Sequence, residues 1–195
     1  FRAYDHGRSK PACCKWYAVD YDGRLIVYRE YYEAGQDIDK IAKKINELSG
    51  EEFYEYSVAD PSIFARMGYT DTTGAETIAE AFARRGVMFI PASNRRIDGW
   101  NMMHEYLRHD EERSPRLVYF STCHNSIRTV PLLIHDEIKP EDLDTDGEDH
   151  AADCDRYMIL SLHERTIPRP LSEIERKLKQ LREPALNLNQ MYYGS

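Results

Sequence analysis

Phe1-Arg2-Ala3-Tyr4-Asp5-His6-Gly7 opens the chain, Pro11-Ala12-Cys13-Cys14-Lys15-Trp16-Tyr17-Ala18-Val19-Asp20 follows, and Leu25-Ile26-Val27-Tyr28-Arg29-Glu30-Tyr31-Tyr32 comes after the turn Tyr21-Asp22-Gly23-Arg24. Three short runs rich in β-branched and aromatic residues, the last two joined by an Asp-Gly turn, predict an antiparallel meander. Its first strand carries a carboxylate, Asp5. From there helices and strands alternate. Asp37 is the expected N-cap of a helix to Ser49, with Ile38, Ile41, Ile45 and Leu48 on one face and Gly50 as its stop. Residues 53–59 have strand composition and end at Asp60-Pro61, where proline excludes helix for the residue before it. Asp60 thus falls at the C-terminal end of a strand.

Residues 62–73 read as a loop, 74–85 as a helix closed by Gly86, and 87–91 as a buried strand of a parallel sheet. Residues 96–109 form an amphipathic pattern with Ile97, Trp100, Met103, Tyr106 and Leu107 on one side. A short strand at 117–120 precedes a helix at 123–134 that Pro131 interrupts. The last core helix is expected over 149–162, with Ala151, Cys154, Met158 and Leu162 on its apolar face. This order gives an α/β domain. Its mixed sheet has five or more strands, antiparallel at the start and parallel afterwards, with helices on both faces. Beyond Pro168 and Pro170 the composition turns polar, so the division expected is a domain over 1–165 and an appendage over 166–195.

The 195 residues suffice for one sizeable core, and 42% hydrophobic with 31% charged residues is a globular balance. No apolar run reaches the roughly 18 residues of a membrane helix and no signal-peptide pattern opens the chain, so an intracellular protein without a membrane partner is expected. The chain begins at Phe1, without methionine, as a piece of a longer protein would. Cys13, Cys14, Cys123 and Cys154 lack the paired spacing of zinc or disulfide frameworks and are read as reduced thiols. The net charge is −8, but residues 135–155 hold ten acids against the one base Lys139, leaving 25 bases and 24 acids elsewhere. The acidity is local and does not exclude a DNA partner.

Asp5, Asp60 and Asp153 stand where a sheet and a final helix of this order would bring them together, and Asp149 lies one helical turn before Asp153. Crowded carboxylates repel and call for a cation; hard oxygen ligands select Mg²⁺ or Mn²⁺. Two such ions can activate water and stabilise the leaving oxygen in phosphodiester hydrolysis.

Asp5-His6-Gly7, Val58-Ala59-Asp60-Pro61-Ser62, Gly99-Trp100, Lys139-Pro140-Glu141-Asp142-Leu143-Asp144 and above all the stretch from Glu148-Asp149-His150 to Asp153-Cys154-Asp155-Arg156-Tyr157 resemble the nuclease domain of the large terminase subunit of tailed bacteriophages. The resemblance covers residues 1 to about 162. It implies an RNase H-like fold, a two-metal site holding Mg²⁺ or Mn²⁺, and endonucleolytic cutting of concatemeric double-stranded viral DNA during genome packaging. It also implies a packaging ATPase upstream in the parent chain, a portal and a small terminase subunit as partners, and the cytoplasm of an infected bacterium as the location. No phosphate-binding loop of the ATPase type occurs here, so the chain is expected to be the nuclease part alone. Carried over, Asp5, Asp60 and Asp153 are the metal-binding and catalytic acids, with Asp149 and His150 beside them. Asp153 ranks ahead of Asp149 as a ligand, since Asp149 is also a natural N-cap. Taken singly, Asp5 before Gly7 and Asp60 before Pro61 are ordinary turn residues.

Bases should flank the acids to hold phosphates, with Arg8, Lys10 and Arg66 first by position and Lys15, Arg95, Arg96 and Arg128 behind them. Nothing points to base-specific readout. The acidic loop 136–148 is either only solvated or screens the site from DNA. Two other readings stand: another RNase H-like nuclease such as a junction resolvase, and a non-catalytic module that docks on a portal or motor.

Overall fold

The computed structural model describes residues 1–7, 9–66, 76–111, 113–144 and 147–166. Strands β1 (Arg2–Asp5), β2 (Ala12–Val19) and β3 (Leu25–Glu33) form the expected antiparallel meander. Helix α1 (Ile38–Ser49) begins at Asp37, whose side chain accepts a 2.8 Å hydrogen bond from Lys40 N, and ends at Gly50, where φ is +53°. Strand β4 (Ser57–Ala59) follows, then a 3-10 turn Pro61–Phe64, helix α2 (Ile78–Ala83), strand β5 (Ile90–Pro91) and helix α3 (Arg96–Leu107). Strand β6 (Leu117–Tyr119), helix α4 (His124–Thr129) and helix α5 (His150–Thr166) complete the order.

The six strands lie in the order β5-β4-β1-β2-β3-β6. β1 pairs in parallel with β4, β4 with β5, and β3 with β6, so β2 alone runs against the other five. Side chains alternate across this sheet and bury two cores. Ala3, Cys13, Tyr17, Val27 and Val58 face α3 and α5; Tyr4, Cys14, Trp16 and Ala59 pack with α1 and α2. The α/β class and the helices on both faces are as the sequence predicts.

Several elements are shorter than their composition implies. Residues 53–56 lie before Arg2↔Ser57, the first pair of the β1–β4 ladder, and Phe53 is fully exposed. β5 has two paired residues in place of five, because Pro91 brings no N–H to an edge strand and Met88 points to solvent. The segment read as a loop from residue 62 starts with the 3-10 turn. The helix expected over 74–85 is seen as α2, capped reciprocally by Thr77 and Glu80. Pro131 ends α4 early, and residues 130–132 continue it as a 3-10 turn. The acidic segment closes on itself: His135 bridges to Leu143, and Asp136 N and Asp144 N donate to Asp142 O and Ile134 O.

α5 is the most deeply set helix. Every residue from Ala151 to Ser161 is buried, so it is a central helix rather than an amphipathic cover. Residues Phe1–Leu162 form one compact unit. The appendage expected over 166–195 lies, past Thr166, outside the described residues, and so does Arg8. No described helix is long and apolar enough to cross a membrane.

Candidate active site

Parallel pairing of β1 with β4 sets Tyr4 beside Ala59, and Asp60 N donates to Tyr4 O at 3.0 Å. Asp5 and Asp60 therefore end neighbouring strands at the same edge. Ala3 and Val58 face α5, so strand alternation turns Asp5 and Asp60 to that same side. Ala151 and Ala152, both fully buried, are small enough to let the start of α5 lie close to the sheet. His150 Nδ1 reaches Asp5 Oδ2 at 2.6 Å. Asp153 follows one turn later, and Asp149 O accepts its backbone N–H at 2.8 Å.

These charges act on one another. Burial pushes the Asp5 carboxyl up to about 6; the His150 hydrogen bond opposes this, while repulsion from Asp153 and from Asp60 adds to it. Burial likewise raises Asp153, against the attraction of Arg156 and Arg96 and with repulsion from Asp149 adding to the rise. The Asp5 hydrogen bond raises His150 above its ordinary value despite burial; Asp149 adds to this, and Lys10 works against it. Lys10 thus lies near enough to His150 to be felt. Asp60 accepts from Ser62 N at 2.9 Å and Ser62 Oγ at 2.6 Å, so it also caps the turn that Pro61 begins. Arg66 is exposed, and its charge is felt by Glu80.

Two arginines stand behind the acids, and the sequence reading gave neither this place. Arg96 donates from Nε to Asp142 at 2.7 Å and lies 3.5 Å from both Asp149 and Asp153. It is turned to carboxylates, not outward to phosphates as its place at a helix start implied. Arg156 is buried and donates from Nε and Nη2 to Asp153 at 2.8 and 2.6 Å. The spacing Asp153-x-x-Arg156 on one helix was the available signal. A third network supports the same helix. Asp155 accepts from Lys15 Nζ at 2.7 Å, Tyr17 OH at 2.9 Å and Tyr119 OH at 2.8 Å, with Lys15 and Asp155 wholly buried.

Among the described residues, no three His, Cys, Asp or Glu side chains are already gathered so as to hold an ion. The donors still fit a hard divalent cation. Asp5 is buried under repulsion from two acids, and His150 Nε2 is buried with no hydrogen-bond partner among the described residues. His6, beside Asp5, is instead engaged with Tyr4 OH at 2.8 Å.

No protein-family model matches the chain, and no curated protein does. Solved structures do. The nuclease domain of the P22 large terminase superposes with a TM-score of 0.64 at 16% identity, covering 86% of this chain and 85% of that one. The large terminase of a thermophilic bacteriophage gives 0.63 at 16% identity over 83% of this chain, which spans only 39% of that protein. The nuclease domain of the SPP1 large terminase, g2p, solved with bound Mn, gives 0.53 at 16% identity over 80% of this chain and 82% of that one. The chain has the fold of these phage terminase nuclease domains, an RNase H-like fold.

Proposed function

We propose that this chain is a divalent-metal-dependent endonuclease that cleaves double-stranded DNA, the nuclease part of a phage packaging terminase. The observation that supports the reading is that Asp5 and Asp60 close adjacent strands and that the charges of Asp60 and of Asp153 on α5 both act on Asp5, in a fold shared with terminase nuclease domains. Asp5, Asp60 and Asp153 would hold Mg²⁺ or Mn²⁺, two ions in the full site, with Asp149 adding negative charge from the preceding turn. The ions, when bound, would supply the positive charge that activates water and stabilises the leaving oxygen of the phosphodiester.

The chain's own residues do the rest. His150 holds Asp5 by Oδ2 and fixes the direction of its carboxylate. The Ser62 bonds do the same for Asp60. Lys10, near His150, and Arg66, exposed beyond Asp60, would hold phosphates, and Arg8 belongs with them by position. Under this reading the chain sits downstream of a packaging ATPase, works with a portal and a small terminase subunit, and acts in the host cytoplasm.

The test is nicking and linearisation of supercoiled plasmid with Mn²⁺, Mg²⁺ or EDTA, beside Asp60→Ala. Cutting that requires metal and falls by at least about 10²-fold in the variant is expected, the scale of losing a group that stabilises reaction charge. No cutting by a folded protein that also binds no Mn²⁺ would refute the nuclease and favour a docking module. A strong preference for branched over linear duplex would favour a junction resolvase.

A further inference from the structure

We infer that Arg156 is the positioning residue of the carboxylate centre. It fixes Asp153 through one oxygen, Oδ1, and leaves Oδ2 as the atom that Asp153 offers to a divalent cation. The inference rests on the metal-centre reading above and names a residue that controls it.

An arginine that meets a carboxylate for stability alone commonly forms a fork, with two parallel bonds to the two oxygens. Here Arg156 Nε and Nη2 both donate to Oδ1, at 2.8 and 2.6 Å, and Arg96 Nη1 also approaches Oδ1, at 3.5 Å. Among the described residues no side chain donates a hydrogen bond to Oδ2. The guanidinium lies over two aromatic rings, its Cζ 5.0 Å from the ring centre of Trp100 and 4.4 Å from that of Tyr157. α3 gives way to it. A Cβ on Gly99 would stand 2.3 Å from Arg156 Cγ and 2.8 Å from Cδ, so only glycine lets the arginine stem pass. Arg156 Nη1 is buried with no hydrogen-bond partner among the described residues, an arrangement that serves the orientation of Nε and Nη2 rather than the satisfaction of the whole group. Partners that orient a ligand in this way set metal affinity although they never touch the ion.

The test is a Mn²⁺ titration of the whole chain by calorimetry, with the electron paramagnetic resonance spectrum of the bound ion and a melting curve for each variant. Arg156→Gln should weaken Mn²⁺ binding by about 10- to 100-fold and change the spectrum. Arg156→Lys, which keeps the charge but not the planar pair of donors, should recover part of the affinity. Gly99→Ala displaces the arginine stem, and Leu160 beside it, without altering any charge and should weaken Mn²⁺ binding in the same direction. A folded Arg156→Gln or Gly99→Ala protein that binds within about two-fold of wild type, with an unchanged spectrum, would overturn the inference and leave Arg156 a packing residue. A folded wild-type chain that binds no Mn²⁺ at all would overturn the metal centre and this inference with it.

Discussion

Asp5 is 5% exposed and shares its surroundings with Asp153 and Asp60, so the folded protein holds its proton up to about 6. An unfolded chain releases the same proton near pH 3.9. Between those values the folded state binds more protons than the unfolded one, and stability falls as pH rises. His150 acts in the same direction. Its pKa is raised by the Asp5 hydrogen bond, so its contribution is complete below about pH 6.5 and is lost as pH rises through the higher folded value. Asp5→Asn keeps the shape and removes the charge. In EDTA it should be more stable than wild type by on the order of 2 kcal/mol at pH 8, with the difference closing toward pH 4. Urea unfolding across that range measures this, and parallel curves would show that Asp5 is not under the repulsion described. A residue that makes the metal-free protein less stable is what a cation site built from like charges requires. The placement of Asp5 and Asp60 at strand ends was legible in the sequence because a strand running into Gly7 and an X-Pro strand end are local features. Arg96 and Arg156 were not, because their roles depend on which helix faces they share.

α5 shows the same limit at the scale of an element. Its existence and its acids were readable, but its depth was not. Acids at Asp149, Asp153 and Asp155 along a helix imply a solvated face, and the helix is buried because each acid has a partner from another element or the next turn. Lys15 carries a signal of that depth. It lies on β2 between Cys13 and Tyr17, the residues two before and two after it, so it had to enter the core that α5 covers. A lysine there needs an anion, and the wholly buried Asp155 is that anion. Lys15→Met should cost about 3–5 kcal/mol, because Asp155 keeps a buried charge with only two tyrosine hydroxyls to hold it. The double variant Lys15→Met/Asp155→Asn should recover part of that loss, since it buries neither charge and the amide oxygen, in a side chain of the same size, still accepts from the tyrosine hydroxyls. Urea titration of wild type and the two variants decides it. A double variant as unstable as the single one would mean that Asp155 also organises Tyr17 and Tyr119. The capped elements were read well for the opposite reason: Asp37 with Gly50 are local signals that depend on no other part of the fold. Residues 53–56 and 87–89 have strand composition but lie outside β4 and β5, because apolar composition does not reveal where a partner ladder begins.

Over the whole molecule, charge is divided between a nearly neutral body and the acidic segment that ends in α5. The segment is not merely solvated. Asp142 accepts from Arg96 Nε and Trp100 Nε1, which ties the turn closed by His135 and Leu143 to α3, and Arg96 in turn faces Asp149 and Asp153. Negative charge is therefore held close to the carboxylate centre by a fixed link, where an approaching phosphate backbone would meet it. Glu137 and Glu141 are exposed on this turn and are the acids to remove, while Asp142 must stay because it makes the link. Glu137→Gln/Glu141→Gln, placed in an Asp60→Ala background and assayed in EDTA by fluorescence anisotropy, should bind duplex DNA about three-fold more tightly at low salt, at roughly 0.3 kcal/mol for each exposed charge. The gain should shrink between about 0.05 and 0.2 M salt as the screening length falls, and binding by both proteins should weaken together. Unchanged affinity at low salt would place the turn outside the path of the DNA. The excess acid would then serve to hold Arg96, and phosphate contacts would have to come from elsewhere on the surface.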